Sequence, residues 1–357
     1  ADNLEKILSY KGHLGISNQD NLTSIDELQY YRNVTGITLD KNKNLAGKLD
    51  FSKYPQLVGS IIVQNSPLVT SIDVTGLDKI TTFSATSMKN MTDVTIKGNS
   101  KLQNVSLHHN EALQAVDVRD LPELRLVETY YSKSVTTIKT AGSPKLTAIN
   151  ATSSNSLSSI PGLNENTQLV DFVAPYTALE SLDFSNQPNL RSVNLLSAKI
   201  KELKGLAAAG TNLKNLQLSN TQLSSLDVSN NTELLELELY NSKITKLDVT
   251  ANKKLKRLRI PFNPLEELVL GDNTALEYLD ISHDRLSTLD ITKLTALTKI
   301  YAGRQTQKAN PGILQSMTVY YSAAQKTVLD PVIAGSKDSN KVNYAETNAD
   351  ATYVVKN

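Results

Sequence analysis

The stretch that decides the fold is Leu213-Lys-Asn-Leu216-Gln-Leu218-Ser-Asn220-Thr-Gln-Leu223-Ser-Ser-Leu226-Asp227-Val228-Ser-Asn-Asn231. Its first half follows the template L-x-x-L-x-L, and its second half is a variant, L-x-x-L-D-V. The first half returns as Leu234/Leu237/Leu239, Leu255/Leu258/Ile260 and Leu276/Leu279/Ile281, each start 21 residues after the last. The second half returns as Ile244-Thr-Lys-Leu247-Asp248-Val249, Leu265-Glu-Glu-Leu268-Val269-Leu270 and Leu286-Ser-Thr-Leu289-Asp290-Ile291. A fixed period of this kind overrides chain length as a guide to domain number.

Upstream the pitch loosens to 21–23 residues through starts at Leu190, Leu169, Leu146, Leu124, Leu102, Ile80, Leu57 and Val34, and Leu297 completes 13 coils. One such coil cannot bury its own apolar edge, so neighbours must stack around a shared core, and residues 34–305 read as a single solenoid. The L-x-L segment alternates with the period of a strand. Stacked at about 4.8 Å per rung, the coils predict a parallel sheet about 60 Å long.

A solenoid needs a cover at each end. Residues 1–33 read as a helical N-terminal cap: Asp2-Asn-Leu-Glu-Lys-Ile-Leu and Ser24-Ile-Asp-Glu-Leu-Gln-Tyr-Tyr show helical spacing, and Ser24 with Glu27 has the spacing of a capping box. Residues 306–357 read as a C-terminal cap of strand, short helix and strand. Met317–Tyr321 alternates, Ser322–Leu329 is expected to be a helix ending before Pro331, a polar stretch covers Gly335–Asn340, and a last strand is expected near Tyr353. Gly303–Gly312 breaks the period and is expected to be a loop.

The 357 residues carry 37 Lys+Arg against 36 Asp+Glu and are 39% hydrophobic, the balance of a folded chain without the basic footprint of a nucleic-acid binder. The longest uncharged small-residue run, Gly205–Gly210, is far short of a membrane span. With no cysteine there is no disulfide, thiolate metal site or cysteine nucleophile. No basic and apolar targeting segment precedes Ala1, which suits a cytosolic protein or an exported one from which that segment has been removed.

At the unit L-x-x-L-x-L-x-x-N-x-L-x-x-L-D-V-S-x-N, clearest in Leu213–Asn231, the chain resembles bacterial leucine-rich repeat proteins of the cell surface, of the 21-residue internalin-like type. The stretch Leu22–Val34 resembles the lead-in to such repeats. The resemblance covers about three quarters of the chain and implies an α/β-class, right-handed leucine-rich repeat solenoid with caps at both ends. It also implies an exported, extracellular or surface-anchored bacterial protein that binds a protein or glycan on a host or neighbouring cell, with no cofactor. Some relatives carry Cys at the second strand position, where this chain has Leu218, Leu239, Ile260, Ile281 and Ala302. In the first coils Thr129 and Ala151 fill that position, and Met88, Ser132 and Ser154 replace the template Asn.

Side chains alternate along a strand, so the Leu positions point inward and the positions between them outward onto the concave side. The outward residues at the strand ends are His108/His109, Tyr130/Tyr131, Thr152/Ser153, Pro175/Tyr176, Leu196/Ser197, Ser219/Asn220, Tyr240/Asn241, Pro261/Phe262, Ser282/His283 and Gly303/Arg304, with Tyr278 and Tyr301 within strands. Six of the 14 Tyr and three of the four His fall in this set, which makes it the candidate binding surface. Large rings bury much area at little entropic cost, so we expect a macromolecular ligand along a row from Tyr130 to Tyr301, held by His108, His109, Tyr130, Tyr131, Tyr176, Tyr240, Phe262, Tyr278, His283 and Tyr301. The competing reading is that the rings only cover the sheet edge.

Glu236 and Glu238 fall opposite Arg257 and Arg259 on the next rung, with Asp280 after Arg259, a ladder expected to be solvated surface pairing. Asn42, Asn65, Asn110 and Asn263, and in the other half-coil Asn99, Asn231, Asn252 and Asn273, are expected to satisfy buried turn backbone. The six N-x-S/T sequons carry no argument in so Asn-, Ser- and Thr-rich a chain. No nucleophile elbow, metalloprotease motif or phosphate loop occurs, and His108-His109 would diverge on an extended strand and make no metal pair. A parallel β-helix carbohydrate enzyme would need clustered acids, whereas Asp117, Asp183, Asp227, Asp248 and Asp290 are spread along the axis. The expectation is a monomeric, non-catalytic binding module; a cell-surface spacer is the alternative.

Overall fold

The computed structural model describes residues 2–337 and 345–356. The chain forms two compact units, Ala1–Leu179 and Glu180–Asn357. In the first unit Lys11–Ser17, Asn33–Asp40, Gly59–Gln64, Ile80–Thr86, Asn104–Ser106, Leu126–Glu128, Ala148–Asn150 and Asp171–Val173 lie side by side in that order. In the second unit Ser192–Asn194, Asn215–Gln217, Glu236–Glu238, Arg257–Arg259, Tyr278–Asp280 and Lys299–Tyr301 do the same. Within these two runs the strands pair in parallel, because each coil returns through its other half before starting the next strand.

Register follows the template. Val105, Val127, Ile149 and Phe172 sit opposite one another in the first unit, and Leu216, Leu237, Leu258, Leu279 and Ile300 in the second. All are buried. A strand of three residues is stable only because its central side chain, worth about 1.5–3 kcal/mol when fully buried, packs between equivalent side chains above and below. Thr129, Ala151, Met88, Ser132 and Ser154 are fully buried as well, so the degenerate first coils hold the same register.

The second half-coils form their own short parallel sheets. Ala46–Asp50, Leu68–Asp73 and Asp93–Thr95 make one, and Lys246–Asp248 pairs with Glu267–Val269. Between the two faces runs a column of buried polar side chains that close the turns. Asn110 Nδ2 donates to Ala85 and Leu107 carbonyls at 2.7 and 2.8 Å, and Asn263 Nδ2 to Leu239 and Ile260, both at 2.8 Å. Asn42, Asn99, Asn231, Asn252 and Asn273 do equivalent work. Asn65 does not: it is exposed and donates to Asp40, and Ser66 takes the buried place. The register explains this: Asp40 pairs with Gln64, so Ser66 and not Asn65 stands level with Asn42, and Asn65 takes the left-handed turn position before it, at φ +52°.

The ends differ in part from expectation. Asp2–Ser9 is a helix, but residues 1–33 are not wholly helical, since Lys11–Ser17 pairs with Asn33–Asp40 as an additional rung. The Ser24/Glu27 capping box is not formed. Asp26–Tyr30 is a 3-10 turn, and the Ser24 hydroxyl is drawn to the nearer Asp26 carboxylate at 3.0 Å. At the other end Met317–Ser322 is a strand, and a capping box does form between Ser322 and Gln325. The helix Lys326–Gly335 runs through Pro331 instead of stopping before it, because Leu329 and Ile333, four residues apart, are both buried on one side. Of the expected polar stretch, residues 338–340 lie outside the described residues. Ala351–Lys356 pairs with Met317–Ser322.

In Gly303–Gly312 there is neither helix nor strand. Here Thr347–Asp350 crosses the last rung: Gly303 and Arg304 N–H groups donate to Thr347 and Ala349, and Asn348 Nδ2 to Ile300 at 2.8 Å. A Cβ at Gly303 would fall 2.4 Å from the Ala349 carbonyl, so only glycine permits the crossing.

Candidate functional site

The turn after each strand places the candidate residues. In each coil the second outward residue takes left-handed backbone, with φ from +51° to +61° at His109, Tyr131, Ser153, Tyr176, Ser197, Asn220, Asn241, Phe262, His283 and Arg304. Their N–H groups continue the ladder, as in His109 to Tyr130 at 3.0 Å and Phe262 to Ser282 at 3.1 Å. The expected row therefore splits. Tyr278 and Tyr301 lie within strands, and His108, Tyr130 and Tyr240 lie two residues past the ends of theirs. His109, Tyr131, Tyr176, Phe262 and His283 occupy the left-handed turn.

In the first unit four rings form one cluster. His108 stacks on Tyr130 with centroids 4.2 Å apart and 13° between planes, and His109 lies 4.9 Å from Tyr131. Because His109 is left-handed, the two imidazoles do not diverge as an extended strand would require: their Nδ1 atoms are 2.8 Å apart. Burial, followed by the neighbouring His109, holds the His108 pKa below its ordinary value. Tyr131 is 47% and Tyr176 46% exposed; Thr152 and Ser153 occupy the coil between them.

The second unit is more closed. Tyr278, expected on the surface, is only 8% exposed. Its hydroxyl donates to the Glu346 carboxylate, and the Arg257 guanidinium covers its ring at 3.9 Å. Burial first, then the Glu346 hydrogen bond, pushes its phenol pKa up. Tyr301 lies 5.8 Å from Tyr278, Phe262 and His283 stack at 4.2 Å, and Arg259 sits over Tyr240 at 4.9 Å. Tyr240 Oη accepts from Asn220 at 2.9 Å. The arginine stacking was not read from the sequence, although the rung spacing of Arg257 to Tyr278 carried the signal.

The charged ladder keeps the expected register, but Arg257 pairs diagonally with Glu238, Arg259 pairs with Asp280, and Glu236 is exposed. Arg257 Nε donates to Glu238 at 3.0 Å, and Glu238 also accepts from Gln217 at 2.7 Å. Asp280, 3.7 Å from Arg259, is completely buried. Burial raises its pKa to about 6 against the opposing pull of the Ser282 hydrogen bonds and Arg259.

On the opposite half-coils Asp117, Asp183, Asp227, Asp248 and Asp290 each accept the N–H two residues on, at 2.8–3.3 Å, and their pKa values lie below the ordinary one. They close turns. Among the described residues no three His, Cys, Asp or Glu side chains converge on a possible metal position, and no helix is long and apolar enough to cross a membrane.

Two stacks of short parallel strands, each coil closed by a buried polar side chain, define a leucine-rich repeat solenoid of internalin-like type. No family model and no curated protein matches the sequence. Among solved structures, the functional domain of InlJ from Listeria monocytogenes, described as including a cysteine ladder, superposes with a TM-score of 0.66 at 19% identity over 89% of this chain and 69% of that one. A leucine-rich repeat protein of Leptospira interrogans superposes with a TM-score of 0.50 at 16% identity over 89% and 92%. This chain, with no cysteine, builds the same fold without such a ladder.

Proposed function

We propose that the chain is a non-catalytic binding module of an exported cell-surface protein, and that it docks a protein partner on the aromatic edge of its first unit. The observation that carries this is the exposure of Tyr131 and Tyr176, each about half open to solvent on left-handed backbone. That conformation costs an L-residue about 1–2 kcal/mol relative to the right-handed form, and Asn, as at Asn220 and Asn241, adopts it most readily. Backbone ease therefore does not explain tyrosine at these turns. Tyrosine is among the residues that most often dominate binding energy at protein interfaces. His109 and Tyr130 extend the same edge. Export rests on the likeness of the repeat to surface proteins, and residues 34–305 act as the recognition unit of a monomer.

The test is a screen of cell-surface proteins, with a glycan array alongside, followed by the double variant Tyr131→Ala/Tyr176→Ala. Affinity for the captured protein is expected to fall by at least about 2 kcal/mol, the range of interface hot spots. Undiminished affinity in a folded double variant would move the site elsewhere. Selective capture of a glycan would overturn the choice of partner.

A further inference from the structure

We infer that His108 and His109 form a two-imidazole site for a divalent transition-metal ion of cupric or nickel type. The backbone creates it. His109, at φ +56°, turns the chain back directly after His108, so two adjacent side chains bring their Nδ1 atoms to 2.8 Å. Metal–imidazole bonds of about 2.0–2.1 Å meeting at a right angle span about 2.8–3.0 Å between nitrogens, whereas a tetrahedral angle would require about 3.3 Å. The observed bite is that of a square-planar or octahedral ion, and cupric ion heads the affinity order for such ligands.

Two further features favour the site. The rings are braced from the next coil, His108 by stacking on Tyr130 at 4.2 Å and His109 by Tyr131 at 4.9 Å, so little side-chain freedom remains to be lost on coordination. The contact between nitrogens also requires one to donate and the other to accept, so at least one imidazole is neutral. On binding, the donating ring moves its proton from Nδ1 to Nε2, and both Nδ1 lone pairs turn to the ion. Since no third His, Cys, Asp or Glu converges there among the described residues, the remaining positions are left to water or to a partner's side chain.

The other two histidines stand apart: His13 Nε2 contacts Thr38 Oγ1 at 2.7 Å, and His283 stacks on Phe262. The experiment is calorimetric titration of the full chain with cupric chloride in a non-coordinating buffer at pH 7.5, with electron paramagnetic resonance on the same samples. One ion per chain with two nitrogen donors is expected. His109→Ala, which alters an exposed ring, should weaken binding at least tenfold in a chain that still unfolds cooperatively, and His108→Phe, which keeps an aromatic ring against Tyr130, should do the same to binding. The variant His13→Ala/His283→Ala should bind as the parent does. Absence of binding, or affinity and nitrogen signal unchanged in His109→Ala, would overturn the inference.

Discussion

Asp284 Oδ1 accepts the main-chain N–H of Asn263 at 2.7 Å from the same place in its coil that Asn263 holds in the one before. Asn263 also donates from Nδ2 to the Leu239, Ile260 and Pro261 carbonyls, while the second carboxylate oxygen of Asp284 is buried with no partner. An acid thus stands where the turn calls for an amide, and burial raises its pKa well above the ordinary value. Its contribution to stability is complete below the unfolded carboxyl pKa of about 3.9 and is lost as pH rises through the raised folded value. Asp284→Asn is expected to stabilise the protein at pH 8 by about 1–3 kcal/mol, the cost of an unsatisfied buried polar group, and by less at pH 4. Urea unfolding at the two pH values checks this; a variant less stable than the parent at pH 8 would contradict it.

Asp280 shows the same sign with a charge partner. Its raised pKa of about 6 means that the carboxyl is mostly protonated at pH 5 and ionised at pH 8, where Arg259 at 3.7 Å is the opposing charge. Arg259→Ala should therefore cost about 2–3 kcal/mol at pH 8, from the stranded carboxylate, and clearly less at pH 5. Thermal melts at both values are the measurement. An equal loss at each would mean that lost packing on Tyr240, not charge, explains the effect.

The inward register makes a sharper contrast. Leu237 and Leu258 face each other across adjacent rungs and are fully buried, while Lys243 is exposed on the turn between. Leu237→Asp or Leu258→Asp should destabilise by at least about 4 kcal/mol or prevent folding, and Lys243→Asp should stay within about 0.5 kcal/mol of the parent. Comparable losses from all three changes would rule out the assigned register.

The coil was legible because one rule, apolar at three spaced positions, is enforced anew by each neighbour. Features that depend on a single residue's dihedral or on a distant segment were not. On an extended strand end His108 and His109 would diverge, yet Asn65, Asn220 and Asn241 stand in the same column as His109, and Asn favours left-handed backbone. That signal was present in the sequence. Nothing periodic could announce that Glu346, 68 residues beyond Tyr278, would cover it. The buried place of Ser66, by contrast, follows from the same count from Ile61 that leads from Ile37 to Asn42.

The left-handed column also allows ring and backbone to be separated at Tyr176. Tyr176→Ala and Tyr176→Asn both remove the exposed ring, but Asn tolerates φ near the observed +58° better than Ala does. The Asn155 Nδ2 bond to the residue 176 carbonyl, 3.1 Å, is to main chain and survives in both. Tyr176→Asn is therefore expected to be the more stable variant by about 0.5–1 kcal/mol in urea unfolding. If Tyr176 is part of the docking edge, the two variants should nevertheless lose the same affinity for a captured protein partner, because they lack the same ring. Equal stabilities would refute the backbone account of the turn, and affinity restored by Asn alone would show that binding depends on turn conformation instead of the tyrosine side chain.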